Sequence, residues 1–151
     1  MADVRDVARY MLRKQAPMSA MKLQKLAYYA QGWHLAYEGE PLFDSRIEAW
    51  ANGPVVRDLY TAHRGLFTLH EGTLGPLRDG VLKQNEIETI DAVMLAYGDM
   101  DANQLSNLTH SERPWYEARE GIADGKRSEA VILPESMQEF FNALLVDVPP
   151  Y

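Results

Sequence analysis

Residues 20–37 read AMKLQKLAYYAQGWHLAY, and this stretch decides how the rest of the chain is organised. At helical spacing, one apolar face is formed by Leu23, Leu26, Ala27, Ala30, Trp33 and Tyr37. Tyr28 and Leu35 lie on a second face. Tyr29, Lys22 and Lys25 lie on a third. A helix that is apolar or aromatic nearly all round is typical of the centre of a fold, so we predict a central helix surrounded by other elements.

Polar side chains within this helix set further requirements. Tyr28, Gln31 and His34 need hydrogen-bond partners in the interior, because an unpaired buried polar group costs about 1–3 kcal/mol. Lys22 and Lys25 are open to two interpretations. They form either a solvated edge of the helix or a contact to phosphate or to a partner.

The first half of the chain supplies a helix, a strand and a second helix. An apolar stripe predicts a helix over residues 3–14, which Pro17 stops, and Ser19 is placed to cap the central helix. Ile47–Trp50 alternates like a half-buried strand. Asn52, Gly53 and Pro54 are predicted to end it and to start a helix, because proline suits the first helical position. The inner face of that helix is predicted to contain Val55, Val56, Leu59, Tyr60 and His63. Residues 65–82 are rich in glycine and predict a loop with at most a short hairpin.

The second half predicts four more helices. A capping box at residues 85–88 opens a helix that runs to Tyr97, and a box at residues 101–104 opens one that ends near His110. Ser111 or Arg113 is predicted to cap a third, with Pro114 in its first turn. Residues 131–133 are predicted to be extended. Pro134 opens a last helix, which ends before Pro149 and Pro150 and has an inner face of Met137, Phe140, Phe141, Leu144 and Leu145.

These elements predict one mainly α domain over residues 1–151, with a core at about 5–145, six or seven helices and a short β-hairpin or extended pieces. The chain has 151 residues and no cysteine, which excludes disulfides, thiolate zinc sites and a cysteine nucleophile. No apolar run is long enough to span a membrane, and the N-terminus does not resemble a signal peptide. We therefore expect a cytoplasmic protein.

The net charge of −7 argues against autonomous nucleic-acid binding. Residues 1–37 carry six Lys or Arg against two Asp, whereas the other residues carry nine against twenty acidic side chains. Such an acidic body steers a basic protein partner. The alternative, which is favoured, is that the charge only keeps the protein soluble.

Catalytic motifs for phosphate loops, dinucleotides, nucleophile elbows and zinc are absent from the sequence. We therefore predict no catalytic, cofactor or metal residues and no enzyme activity. The densest polar set is at residues 108–115, where His110 near Glu112 and Arg113 is compatible with a general base of a hydrolase. A helix corner in which Thr109, His110 and Ser111 satisfy backbone groups is favoured, because no nucleophile accompanies the set.

Three segments are distinctive in combination: MKLQKLAYYAQGW at residues 21–33, IEAWANGPVV at 47–56, and LSNLTH at 105–110 followed by Glu112, Pro114 and Trp115. In this order they resemble the Panacea-domain (SocA/GepA-like) antitoxins of bacteria and phages, over about residues 5–145. The resemblance implies a small, mostly helical domain that silences a neighbouring toxin by direct contact. Toxins of such pairs include alarmone-synthetase-like enzymes that block translation.

The resemblance also suggests partners. In one branch of the family the antitoxin is an adaptor that delivers its toxin to a protease such as ClpXP. We therefore expect a cognate toxin, with a protease and a homodimer as alternatives, and neither a cofactor nor a membrane.

The family motif is not catalytic, so it identifies no active site. We predict partner contacts from charged and aromatic positions: Lys22, Lys25, Tyr29, Trp50, Arg57, Tyr60, Arg64, His110 and Glu112. We predict structural roles for Tyr28, Gln31, Trp33, Glu48, Gly53, Pro54, Thr109 and Trp115. A domain that accepts many partners is expected to vary its surface, which assigns specificity to the loop at residues 65–82 and to the helix surfaces.

Overall fold

A computed structural model of the chain describes residues 1–147. Within this part the elements run in the order α1 (Val4–Lys14), β1 (Met18–Ser19), α2 (Ala20–Glu38), β2 (Ile47–Trp50), β3 (Gly53–Val56), α3 (Arg57–His63), β4 (Thr68–Leu69), α4 (Gln84–Tyr97), α5 (Ala102–His110), α6 (Arg113–Ala118), β5 (Val131–Ile132) and α7 (Pro134–Asp147). The fold is mainly α with minor β, as the sequence predicted. No helix among residues 1–147 is long and apolar enough to cross a membrane.

Helix α2 lies at the centre, as predicted. It packs against α7, α4, α5, α1 and β3, and nearly every residue between Leu23 and Leu35 is buried. The Ser19 hydroxyl caps its start by accepting from the Lys22 backbone N–H at 3.1 Å. Its end is Gly39, whose φ of 73° favours glycine. The other elements of the domain therefore pack around helix α2.

Two of the three interior polar groups in α2 have the expected partners. Gln31 donates to the Phe43 carbonyl at 2.9 Å, and His34 Nδ1 lies 2.8 Å from the hydroxyl of Thr89. The expectation was wrong for Tyr28, whose buried hydroxyl has no hydrogen-bond partner within residues 1–147. Its ring meets those of Tyr29 and Phe141 edge to face, so aromatic packing holds it instead.

The segment after β2 forms a strand and not the predicted start of a helix. Strands β2 and β3 make an antiparallel hairpin, and β5 pairs with the other edge of β2 to give the order β3-β2-β5. Gly53 has a φ of 124°, which supports the tight turn, and Pro54 lies in the edge strand, where a missing N–H is tolerated. The Gln24 side chain completes β3 by bonding both the N–H and the carbonyl of Val56. Val55 and Val56 therefore belong to the strand, and α3 begins only at Arg57.

The helix starts in the second half were predicted with mixed success. The capping box of α5 is confirmed, because Asp101 and Gln104 each accept from the other's backbone N–H at 2.8 Å. Helix α4 starts earlier than predicted, because Glu86 accepts from the N–H of Lys83. Glu112 occupies the cap position of α6, so the expectation of Ser111 or Arg113 was wrong.

The loop at residues 65–82 and the end of α7 also differ from the prediction. Within residues 65–82, β4 pairs antiparallel with β1, so the loop contributes a strand to another segment and not a hairpin of its own. Leu145 was predicted to lie inside, but its side chain is 39% exposed. Pro149 and Pro150 lie outside the described residues.

Candidate functional site

An open cleft of about 550 Å³ lies where four parts of the chain meet. Its floor is the first half of α2, one side is the β2–β3 turn, and the others are α3 with the residues after it and the segment at 125–129. Its lining residues include Gln24, Lys25, Trp50, Gly53, Tyr60, His63, Leu66, Phe67, Arg127 and Glu129. We call this the Lys25 cleft.

Lys25 is the unusual member of the floor. It is only 2% exposed, and burial alone lowers the pKa of its ammonium to about 8, with no contribution from a carboxylate in residues 1–147. A β-carbon at Gly53 would lie 2.5 Å from the Lys25 Cε, so the lysine stem passes where Gly53 has no side chain. The interpretation of Lys25 as a solvated helix edge is therefore wrong.

Aromatic rings form one wall of the cleft, and the guanidinium of a residue outside the cleft lining packs on them. The rings of Trp50 and Tyr60 meet edge to face with centroids 4.9 Å apart, and the guanidinium of Arg57 lies 5.7 and 5.6 Å from the two ring centroids. All three belong to the residues predicted to contact a partner. The fold thus brings them together from β2 and α3, next to Lys25 from α2.

Glu48 holds this wall in place from behind. Its buried carboxylate accepts from the Trp50 indole at 2.8 Å and from Arg46 at 2.6 Å, and Arg57 lies 3.7 Å away. A buried carboxylate with several cationic and N–H donors is well compensated. Glu48 thus orients Trp50 and Arg57.

Sequence reasoning missed Gln24 and His63 as parts of the cleft. The Gln24 amide nitrogen lies 3.0 Å from His63 Nε2, which requires this ring nitrogen to accept. Burial lowers the pKa of His63, and the charge of Lys25 lowers it further, so the ring is neutral. The signal was available in part, because the sequence placed His63 on the inner face of a predicted helix, whereas it assigned Gln24 to no face of the central helix.

The exposed rim was also missed as individual residues. Phe67 is 80% exposed and Leu66 is 45% exposed, side by side at the mouth of the cleft. They lie in the loop to which the sequence assigned specificity. The adjacent apolar pair directly after Gly65 in a glycine-rich loop is the signal that could have singled them out.

Two predicted partner contacts lie in the interior. The hydroxyl of Tyr29 donates to the Glu112 carboxylate at 2.7 Å, and the Tyr29 ring stacks on Tyr97 with centroids 4.2 Å apart. Burial raises the pKa of Glu112 to about 7, against the opposing effect of the bond from Tyr29. Because both are buried, Tyr29 and Glu112 offer no exposed surface to a partner.

The remaining predicted contacts are dispersed. Lys22 donates to the Gly98 carbonyl at 2.6 Å, at the end of α4. Arg64 is exposed after α3. His110 stacks flat on Trp115, with centroids 3.9 Å apart, and burial lowers the pKa of its ring. Because Glu112 bonds Tyr29 instead, the structure does not join His110 and Glu112 into a hydrolytic pair.

Most residues predicted to be structural are inside. The buried ones are Tyr28, Gln31, Glu48, Gly53, Pro54, Thr109 and Trp115. Trp33 is half-buried and donates its indole N–H to the Tyr97 hydroxyl at 2.8 Å. The Trp115 indole donates to the Trp50 carbonyl, which ties α6 to the hairpin.

Comparison with known proteins identifies the family. The family model described as antitoxin SocA-like, Panacea domain, matches residues 23–116. Antitoxin SocA of Caulobacter vibrioides (strain NA1000 / CB15N) is 34% identical over an alignment of 128 residues, and the alignment covers 75% of this chain and 68% of that protein. No solved structure matches. The resemblance noted in the sequence is thereby confirmed, and the chain belongs to the SocA-like Panacea-domain antitoxin family.

Proposed function

We propose that this protein is the antitoxin of a toxin–antitoxin pair and neutralises its toxin in the cytoplasm by binding it through the Lys25 cleft. Family membership supports the antitoxin role. The observation that carries the binding mode is the exposed Phe67 beside a cleft with aromatic walls. Aromatic and arginine side chains dominate the energetics of protein interfaces, particularly where they border a pocket.

The family resemblance and the charge distribution support a class of toxin. A translation-inhibiting enzyme of the alarmone-synthetase-like type is the candidate that the resemblance suggests. The acidic side chains outside residues 1–37 suit a partner with a basic surface, because complementary charge accelerates association and aligns the two proteins.

Co-expression with the product of the neighbouring gene tests this function. The wild-type protein is expected to restore growth and to co-purify with the toxin in a fixed ratio. Phe67→Ser is expected to lose at least tenfold in affinity. Leu95→Ser is the matched control, because Leu95 is 87% exposed on α4 and does not line the cleft.

Several outcomes contradict the proposal. Failure of the wild type to restore growth argues against an antitoxin role for the pair tested. Equal loss from Phe67→Ser and Leu95→Ser argues against the cleft as the interface. A toxin level that falls with the antitoxin and recovers on deletion of the protease identifies the adaptor mechanism in place of simple neutralisation.

A further inference from the structure

The Lys25 cleft contains a buried positive charge without a negative one. Within residues 1–147, no side chain gives the Lys25 ammonium an ion pair or hydrogen bond. Taking a charge out of water is costly unless it is paired. Binding of an anion at the floor of the cleft would therefore stabilise the charged form of Lys25.

We propose that the Lys25 cleft receives an Asp or Glu side chain from a segment of the toxin and that Lys25 pairs with its carboxylate in the complex. This inference rests on the proposed function and specifies the chemistry of the partner. An acidic side chain of the toxin supplies the negative charge that no described residue of the cleft floor offers to Lys25.

The other charged groups around the cleft leave Lys25 available. Glu129 is the acidic residue among the described lining residues, and its carboxylate lies 4.0 Å from Arg57 and 3.9 Å from Arg127. Burial lowers the pKa of the His63 and His110 rings, and repulsion by the positive charge of Lys25 lowers it further. Neutral histidines supply no negative charge to Lys25 and no positive charge to an incoming carboxylate.

The walls favour a polypeptide over a free anion. Trp50 and Tyr60 present aromatic surface inside the cleft, and Leu66 and Phe67 extend an apolar surface beyond its mouth. A small inorganic anion would leave this apolar rim exposed to water, whereas a polypeptide segment covers it while its acidic side chain reaches the floor. The apolar rim and the buried cation together fit an acidic side chain flanked by apolar residues.

Lys25→Met tests the pairing, with Lys83→Met as a matched control on an exposed lysine outside the cleft. In complex with the toxin encoded by the neighbouring gene, Lys25→Met is expected to bind about 10- to 100-fold more weakly, because the partner carboxylate stays buried and unpaired. Lys83→Met is expected to bind like the wild type. The melting temperature of Lys25→Met is expected to equal or exceed that of the wild type, so weaker binding will not reflect unfolding.

The outcomes separate the two proposals. If the wild type does not bind the toxin, the proposed function fails for that pair. If the wild type binds and Lys25→Met binds equally well, only the pairing is overturned. Replacing each acidic residue of the toxin by its amide is expected to identify one position whose loss is not additive with Lys25→Met.

A second measurement follows Lys25 directly. NMR of its side-chain ¹³Cε during a pH titration is expected to give a pKa near 8 in the free protein and above its ordinary value of 10.5 in the complex. An unchanged pKa in the complex overturns the pairing. The free protein is also titrated with inorganic phosphate and, as a control, with acetate. If phosphate shifts the Lys25 signal and acetate does not, the cleft is a site for small phosphorylated ligands and the proposed pairing is overturned.

Discussion

Lys25 and Glu112 are buried ionisable groups of opposite charge with different surroundings. Lys25 belongs to the central helix α2, and Glu112 contacts the same helix through Tyr29. The Glu112 carboxylate accepts a hydrogen bond from Tyr29 at 2.7 Å, inside a cluster of aromatic rings. Lys25 has no such partner within residues 1–147 and borders an open cleft. The interior face of α2 therefore gives the Glu112 carboxylate one hydrogen-bond partner, although burial still raises its pKa to about 7. Among the described residues, the cleft face gives the Lys25 ammonium no partner.

This difference indicates how one helix serves stability and recognition together. Groups that only maintain the fold are expected to find their partners within the chain. A charge that stays unpaired lowers the stability of the free protein and raises the gain from a complementary partner. The following variants test whether the two sides of α2 differ in this way.

Removing the Lys25 charge is expected to have the largest effect. Its pKa of about 8 lies below the unfolded value of 10.5, so the unfolded chain binds more protons between these pH values and stability rises across that window. Below pH 8 the burial penalty is fully present. Lys25→Met is therefore expected to raise the free energy of unfolding by about 3 kcal/mol at pH 7, with the difference vanishing by about pH 10.5. Denaturant titrations of both proteins at several pH values measure this, and a less stable Lys25→Met at pH 7 contradicts it.

Closing the space beside Lys25 is expected to have a slightly smaller effect. Gly53→Ala places a β-carbon against Lys25 and a non-glycine residue at a φ of 124°. We expect a loss of about 2 kcal/mol from strain and overpacking. The double variant Gly53→Ala with Lys25→Ala is expected to recover the part of the lost stability that comes from the contact between the new β-carbon and the Lys25 side chain. Equal losses in both backgrounds, measured by denaturant titration, would assign the whole effect to the backbone.

The opposite side is tested by Glu112→Gln. The pKa of Glu112 is about 7 in the folded protein and 4.5 ordinarily, so the folded state binds more protons between these values and wild-type stability falls as the pH rises. Glutamine keeps an acceptor for Tyr29. We expect the variant to gain about 3 kcal/mol above pH 7 and nothing below about pH 4.5. Thermal or chemical unfolding at pH 4 and pH 8 distinguishes this from a pH-independent change.

The smallest effects compare two neighbouring tyrosines. Tyr29→Phe removes the hydrogen bond to Glu112 and is expected to cost about 1–2 kcal/mol at pH 8. Tyr28→Phe removes a hydroxyl that has no partner in the described chain, so it is expected to change stability by less than about 0.5 kcal/mol or to increase it. Similar losses in urea titrations of the two variants would contradict the expectation that the Tyr28 hydroxyl makes no stabilising hydrogen bond.

Local patterns predicted a large part of the fold. Helical periodicity located α2, the small polar residues Ser19 and Asp101 marked the starts of α2 and α5, and alternation located β2. Periodicity and capping are interactions among residues close in the chain, so a single sequence contains them in full. The motif residues also indicated the family, which the comparisons confirmed.

Contacts distant in sequence were not predictable in the same way. Pro54 has the local features of a helix start, but pairing with β2 and the bonds from Gln24 make its segment a strand. Local spacing placed Tyr29 beside Lys22 and Lys25. Only the tertiary structure shows that both Lys25 and Tyr29 are buried, Lys25 against Gly53 of the hairpin and Tyr29 against α4 and α7.

The sequence by itself determined the central helix, the mainly α class and the family, because these depend on short-range periodicity and on recognisable motifs. Only the tertiary structure decided which charges are buried and that Lys25, Trp50, Tyr60 and Phe67 surround one cleft. The physical reason is that burial and the pairing of charges depend on which distant segments pack together, and the same side chain is a solvated edge in one arrangement and an unpaired interior cation in another.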